Sequence, residues 1–265
     1  MGKPDGRSFV LITGATSGIG YELAKIYASE GYNLILVARN IKRLEEVKNE
    51  FNLIYNVNIH ILSVDLAVDN SAEIILNYVN KKNLTVDILI NNAGIGSFGY
   101  FKELDINKEI DQININVRAL TELTRLFLPI MMNNETGSIL NVASTAAFCA
   151  GPKMATYYAS KAFVLSFTEA IYEEIKGSNV RISCLCPGTV KTEFLDKAGI
   201  KKKEISKNNM MTAKEVARLA YRDFNRGKLI IIPGFKNKLI IGINKIIPRS
   251  LSRKIILLMN KGNWI

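Results

Sequence analysis

Phe9-Val10-Leu11-Ile12-Thr13-Gly14-Ala15-Thr16-Ser17-Gly18-Ile19-Gly20-Tyr21-Glu22-Leu23-Ala24 carries three structural elements without a gap. Its apolar start reads as a strand buried on both faces, and the stretch from Tyr21 has helical periodicity. Between them lies a glycine-rich turn. Gly14, Gly18 and Gly20 let the backbone bend sharply and approach a pyrophosphate, while the amides and dipole of the following helix attract its charge. With Thr16, Ser17 and Ile19 between the glycines, the turn reads as a nucleotide site. Its G-x-x-x-G-x-G spacing is not the commoner dinucleotide fingerprint, and glycines also serve as plain turn formers.

Outward from this stretch, apolar runs alternate with helix-period segments. Strands are expected at 9–13, 33–38, 58–64, 88–91, 138–143, 180–186 and 229–232, with helices between them. The longest helix is expected at 108–133, another at 155–175, and Thr212-Ala213-Lys214-Glu215 is a capping box opening a helix to about 225. That alternation predicts an α/β fold: a doubly wound, parallel, seven-stranded sheet with helices on both faces. A chain of 265 residues suits one large domain. Residues 1–232 would bind the dinucleotide and carry the chemistry, with 233–265 a basic, apolar C-terminal extension of the same domain.

Tyr157 and Lys161 stand four residues apart, on one face of the helix expected there. An ammonium beside a phenol favours the phenolate, which makes a group able to exchange protons near neutral pH. The pair gains weight from its company. Thr13-Gly14-x-x-x-Gly18-x-Gly20, Asn91-Asn92-Ala93-Gly94, Asn116, Ser144, Tyr157-x-x-x-Lys161 and Pro187-Gly188 resemble, in order and spacing, the short-chain dehydrogenase/reductase family over about residues 8–232.

The resemblance implies a Rossmann-like oxidoreductase that moves hydride between a nicotinamide dinucleotide and a carbonyl or alcohol. It makes Ser144, Tyr157, Lys161 and Asn116 the catalytic group. Tyr157 would be the general acid or base, and Ser144 would hold the substrate oxygen. Lys161 would contact the nicotinamide ribose and lower the Tyr157 pKa, and Asn116 would hold a water leading protons to Lys161. Asn114, Thr145 and Tyr158 are the neighbouring alternatives to Asn116, Ser144 and Tyr157. For the cofactor, Asp65 would accept from the adenine amino group and Leu66 would line the base. Asn92, Ala93 and Gly94 would let the dinucleotide pass close to the backbone. Beyond Pro187 and Gly188, Val190 and Thr192 would reach the carboxamide or phosphate. Family members usually pair their long crossover helices, implying a homodimer or homotetramer.

Arg39 and Asn40 end the second strand, where dinucleotide folds read the adenosine ribose. An acid there would hold the two hydroxyls of NAD, whereas an arginine grips a 2′-phosphate, so NADP(H) is the expected cofactor. A solvated Arg39 is the plainer alternative. Arg43 could assist or could pair with Glu46. Ser17 stands where many NADP-using relatives carry a basic residue.

The net charge is +11, but the last 42 residues hold nine Lys/Arg and no Asp or Glu, leaving only +2 for the rest. With no reading motif or aromatic ladder beside that charge, nucleic-acid binding is not expected. One histidine and three scattered cysteines predict no metal site and buried reduced thiols. The polar residues 1–7 lack a signal-peptide pattern, which predicts a cytoplasmic protein. Apolar runs near 239–243, 246–247 and 255–259 fall short of the ~18 residues needed to span a bilayer. They are expected to pack over the cleft or to rest peripherally on anionic lipid. The expected substrate-lining loops, 95–100, 146–154 and 193–211, include Phe98, Tyr100, Phe148 and Met154, which favours an apolar carbonyl substrate. Lys201-Lys202-Lys203 on the third loop could meet an acidic carrier or simply be solvated.

Overall fold

The computed structural model describes residues 8–200 and 210–262. Seven parallel strands form the main sheet: β1 (Ser8–Thr13), β2 (Asn33–Ala38), β3 (Ile59–Ser63), β4 (Thr85–Asn91), β5 (Gly137–Val142), β6 (Val180–Leu185) and β9 (Ile230–Ile231). Their order is β3-β2-β1-β4-β5-β6-β9. All seven expected strands are present, and 33–38 matches to the residue. The others differ by one to three residues at their ends. A two-stranded parallel sheet of β7 (Val190–Lys191) and β8 (Met211–Thr212) was not expected.

Register explains why the strands read as unbroken apolar runs. Val10 and Ile12 pair with Leu34 and Leu36 and point into one core layer. Leu11 pairs with Ile35 and, with Val37 and Leu89, faces the opposite layer. The first layer is covered by α1 (Gly18–Ser29), α2 (Ile41–Asn52) and α8 (Ala213–Asn225), through Tyr27, Phe51 and Phe224. The second lies under α3 (Ser71–Lys81) and α5 (Leu120–Asn133), through Ile75 and Phe127. Both sheet faces are therefore dry, as parallel strands require.

The chain order reverses between β1 and β4, so a crevice opens at the C-terminal ends of these strands. A buried polar chain ties its floor together. Asn91 Nδ2 donates to Thr124 Oγ1 (3.1 Å) and to Asn141 Oδ1 (2.9 Å), and Asn141 Nδ2 donates to Thr168 Oγ1 (3.0 Å). These bonds satisfy groups that would otherwise be costly to bury.

The long helix expected at 108–133 is corrected. It starts earlier, as α4 (Ile106–Ile113), and a π-helical turn at Asn114–Ala119 separates it from α5. Asn116 lies within that turn, and its side chain is committed to the backbone of Ile95. Wide turns of this kind often occur where a helix must present a functional group. The expected capping box is present: Glu215 N donates to Thr212 Oγ1 (3.2 Å) and Thr212 N to Glu215 Oε2 (2.8 Å). Of the cysteines, Cys184 and Cys186 are buried with their sulfurs 3.7 Å apart, whereas Cys149 is only half-buried. After β9 the chain forms α9 (Phe235–Ile246) and α10 (Arg249–Gly262). No helix among the described residues is long and apolar enough to cross a membrane.

Candidate active site

The glycine-rich turn leaves β1 and enters α1 at the crevice. Gly14 and Gly18 have φ of +66° and +57°, a region that side chains rarely adopt. Space is as restrictive as torsion. A Cβ on Gly20 would sit 2.3 Å from Asn92 Nδ2 and 2.4 Å from Gly14 O. Asn92 earns this closeness by donating Nδ2 to Thr13 O (2.9 Å) and Gly14 O (3.1 Å). Thr13 Oγ1 receives the backbone N–H groups of Asn92 and Ala93, each at 3.0 Å. Strand β4 therefore shapes the turn that follows β1.

Ser17 caps α1 in an extended conformation without a side-chain cap bond. Thr16 O accepts from Arg43 Nε at 3.4 Å, and the same guanidinium pairs with Glu46 at 2.8 Å. The pairing of Arg43 with Glu46 is therefore the reading seen here. Arg39 is exposed at the end of β2, its carbonyl accepting from Ser63 Oγ (2.9 Å). Asn40 caps α2, accepting from Arg43 N at 3.1 Å. Asp65 accepts from Ala67 N (3.0 Å), which makes it a turn former; the cap of α3 is Asn70. Leu66 is buried beside it.

Four side chains converge at the ends of β4 and β5. Lys161, from α6 (Ala155–Glu174), is buried and donates Nζ to Val142 O at 2.8 Å. Asn116 donates Nδ2 to Ile95 O (2.9 Å) and Ser160 Oγ (3.0 Å), and accepts from Ile95 N (3.0 Å). A Cβ on Gly94 would lie 3.2 Å from Lys161 Nζ and 3.3 Å from Asn116 Oδ1, which places all three together. Asn116 is buried and Asn114 only half so, which separates the two asparagines. Ser144 Oγ accepts from Ala146 N (3.1 Å), approaches Pro187 O at 3.4 Å, and is hydrogen-bonded to the Tyr157 phenol. Tyr158 instead lies over Gly151, its ring centroid 6.2 Å from that of Tyr157.

Burial pushes the Tyr157 phenol up to about 12, with the Ser144 bond pulling it back. It pushes the Lys161 ammonium down to about 8, while nearby Cys184 and Cys186 act in the opposite sense. The expectation that Lys161 lowers the Tyr157 pKa is corrected. Its Nζ lies 5.9 Å from the tyrosine ring centroid and is engaged by a carbonyl, and desolvation governs both groups.

A depressed lysine has a defined effect on stability. Between pH 8 and its unfolded value of 10.5, the unfolded chain holds a proton that the folded chain has lost, so stability rises with pH there. Below pH 8 the cost of burying the ammonium is fully present. Subtracting the stability of Lys161→Met from that of the parent should give a difference that climbs by on the order of 3 kcal/mol across this window. Denaturant titrations at stepped pH measure it. A flat difference would show that Lys161 is not destabilised by burial.

Beside Tyr157 lies an apolar cluster of Met154, Ala198 and Ile200, packed with Phe98, Phe194 and Leu195. The Phe194 ring centroid is 5.3 Å from that of Tyr157. All three expected lining loops contribute to the cluster, although Lys201-Lys202-Lys203 lies outside the described residues. Phe194, on the short α7 (Phe194–Lys197), was not singled out in the sequence, where a lone aromatic in a loop gives no signal. Also unforeseen is the buried Glu109 of α4, which accepts from Ser97 Oγ. On the far side, a Cβ on Gly188 would meet Asn237 Oδ1 at 2.5 Å, so α9 packs directly on the Pro187-Gly188 turn. Val190 is buried, and Thr192 Cγ2 would lie 3.1 Å from a Cβ on Gly18.

The short chain dehydrogenase family model matches residues 8–203. A very-long-chain 3-oxoacyl-CoA reductase of Rattus norvegicus is 31% identical over 259 residues, covering 96% of this chain and 80% of the rat protein. A solved short-chain dehydrogenase from Sphingobium yanoikuyae in complex with NADPH superposes with a TM-score of 0.80 at 29% identity, covering 92% of this chain and 97% of that one. One from Burkholderia phymatum in complex with NAD gives 0.80 at 25% identity, covering 91% and 93%. With this crevice, these motifs and these relatives, the chain belongs to the short-chain dehydrogenase/reductase family, oxidoreductases that use a nicotinamide cofactor to interconvert carbonyls and alcohols.

Proposed function

We propose that this protein is an NADPH-dependent reductase of an apolar carbonyl compound, a 3-oxoacyl thioester being one candidate. The observation that carries the reading is the meeting of Ser144, Tyr157, Lys161 and Asn116 at the strand ends, beside the apolar cluster around Met154 and Phe194. The residues present fit a dinucleotide. Gly14, Gly18 and Gly20 permit the tight turn packed against Asn92 and Thr192, the α1 N-terminus offers its dipole to a phosphate, and Gly94 keeps the path beside Lys161 narrow but open. Arg39 favours NADP(H), its exposed guanidinium suiting a 2′-phosphate. Asn40, Asp65, Leu66, Asn92, Ala93, Pro187, Val190 and Thr192 would line the remaining path.

When bound, the dinucleotide supplies hydride. Ser144 Oγ orients the substrate oxygen and stabilises its developing charge. The Tyr157 hydroxyl donates the proton to that oxygen; a phenol held protonated by burial is suited to giving one. Lys161, with a pKa near 8, exchanges protons close to neutral pH and resupplies Tyr157, and Asn116 fixes the geometry of that route through Ile95 and Ser160. The apolar cluster excludes water and receives the substrate chain. The rat relative's name agrees with an acyl substrate of this kind.

The test is a panel of ketones, aldehydes and 3-oxoacyl thioesters, each offered with NADPH and NADH while absorbance is followed. Oxidation of NADPH with an apolar member is the expected result. Cofactor binding without turnover across the panel would favour a nucleotide-sensing protein instead. We also infer a homodimer or homotetramer, supported by exposed Ile106, Ile110, Ile113 and Phe163 on α4 and α6. Light scattering at micromolar concentration checks this.

A further inference from the structure

The two C-terminal helices each have an inner face fixed to the body and an outer face left exposed among the described residues. On the inner side, Asn244 Nδ2 donates to Phe148 O (2.7 Å), Ser252 Oγ to Asn244 Oδ1 (2.5 Å), and Asn260 Nδ2 to Pro152 O (2.7 Å). Ile241 of α9 is buried. These bonds seat the helix pair on the segment that follows Ser144, at the substrate side of the crevice. They leave the outer faces strongly apolar.

Nine large apolar residues of α9 and α10 are exposed, among them Ile246 (86%), Phe235 (79%), Leu258 (68%) and Ile240 (63%). Single exposed apolar residues are ordinary, but two consecutive helices lined with them form a patch of the kind that marks an interaction surface. In α10 the exposed set recurs at Leu251, Ile255, Leu258 and Met259, a spacing of four, three and one that keeps it on one side of the helix.

Charge decides the occupant. Lys236, Lys238, Arg249, Arg253 and Lys254 lie within or at the start of these helices, and no Asp or Glu occurs anywhere after Asp223. A second copy meeting this face would bring the same positive charge against it. An anionic surface would neutralise it. Neither helix can cross a bilayer, whereas an amphipathic helix with basic residues and an apolar face rests in the interfacial plane. We propose that α9 and α10 form a docking platform for an anionic lipid bilayer, which sets the substrate side of the crevice against the membrane.

The full chain should co-sediment with vesicles of equimolar phosphatidylcholine and phosphatidylglycerol far more than with phosphatidylcholine alone, and added salt should release it. Arg253→Glu with Lys254→Glu should weaken this partition by more than about tenfold, since each basic residue near an anionic surface contributes roughly fivefold. Ile240→Glu with Leu258→Glu should abolish it while circular dichroism and thermal unfolding stay unchanged, because both side chains already face solvent. Equal binding to neutral vesicles, or binding that survives both double variants, would overturn the proposal. So would a concentration-dependent dimer that Leu258→Glu breaks and that ignores vesicles, for then the face belongs to a second copy.

Discussion

Replacing Tyr157 with Phe is expected to lower kcat by about 10²- to 10⁴-fold, the range associated with a positioned acid or base. The substitution removes the hydroxyl bonded to Ser144 and keeps the ring that packs on Phe194. NADPH affinity, followed by fluorescence titration, should therefore change little. Tyr158→Phe is the control, since that ring lies over Gly151 and it is the Tyr157 phenol that Ser144 acts on. Loss of turnover in Tyr158→Phe with retention in Tyr157→Phe would mean that the proton comes from the other tyrosine. Ser144→Ala should also slow the chemical step, but its loss should appear in kcat with the Tyr157 hydroxyl still present.

The second large effect is expected at Arg39. Arg39→Asp should weaken NADPH binding by about tenfold to a hundredfold, the scale of one charge-assisted hydrogen bond lost. It should strengthen NADH binding, because a carboxylate accepts from ribose hydroxyls and repels a 2′-phosphate. Arg39 is exposed, so the parent's preference for NADPH should shrink as salt is raised. Calorimetric titration of both proteins with both cofactors measures the order directly. Equal affinities in the parent would remove Arg39 as the selector. Arg43 would not easily replace it, being held by Glu46 and Thr16.

Much of the fold was legible because parallel strands buried on both faces leave an unmistakable trace, as in Asn33 to Ala38, whose bounds needed no correction. Pairs defined by local spacing were equally readable: Tyr157 with Lys161 on α6, and Thr212 with Glu215 at the cap of α8. What escaped depends on partners far away in the chain. The π turn at Asn114–Ala119 preserves an apolar pattern compatible with an unbroken helix, and the Ile95 backbone that engages it is 21 residues off. Helices α9 and α10 are pinned through asparagines to carbonyls 96 and 108 residues earlier, bonds that leave no periodic signature. The acidity of Tyr157 was misjudged for a related reason. Spacing shows that two groups are neighbours and says nothing of how dry their surroundings are.

Asn92 gives the glycine-rich turn a dependence on assembly order. The first 60 residues contain the whole β1-turn-α1 unit, yet the amide that holds Thr13 O and Gly14 O arrives only from β4, nearly 80 residues later. A ribosome-bound chain that has emerged no further than α3 would possess every glycine of the cofactor turn and none of its clamp. Completion of the clamped turn thus waits on the pairing of β4 with β1. The coenzyme in turn would act as a checkpoint on that central pairing, stabilising only molecules in which both halves of the sheet have met.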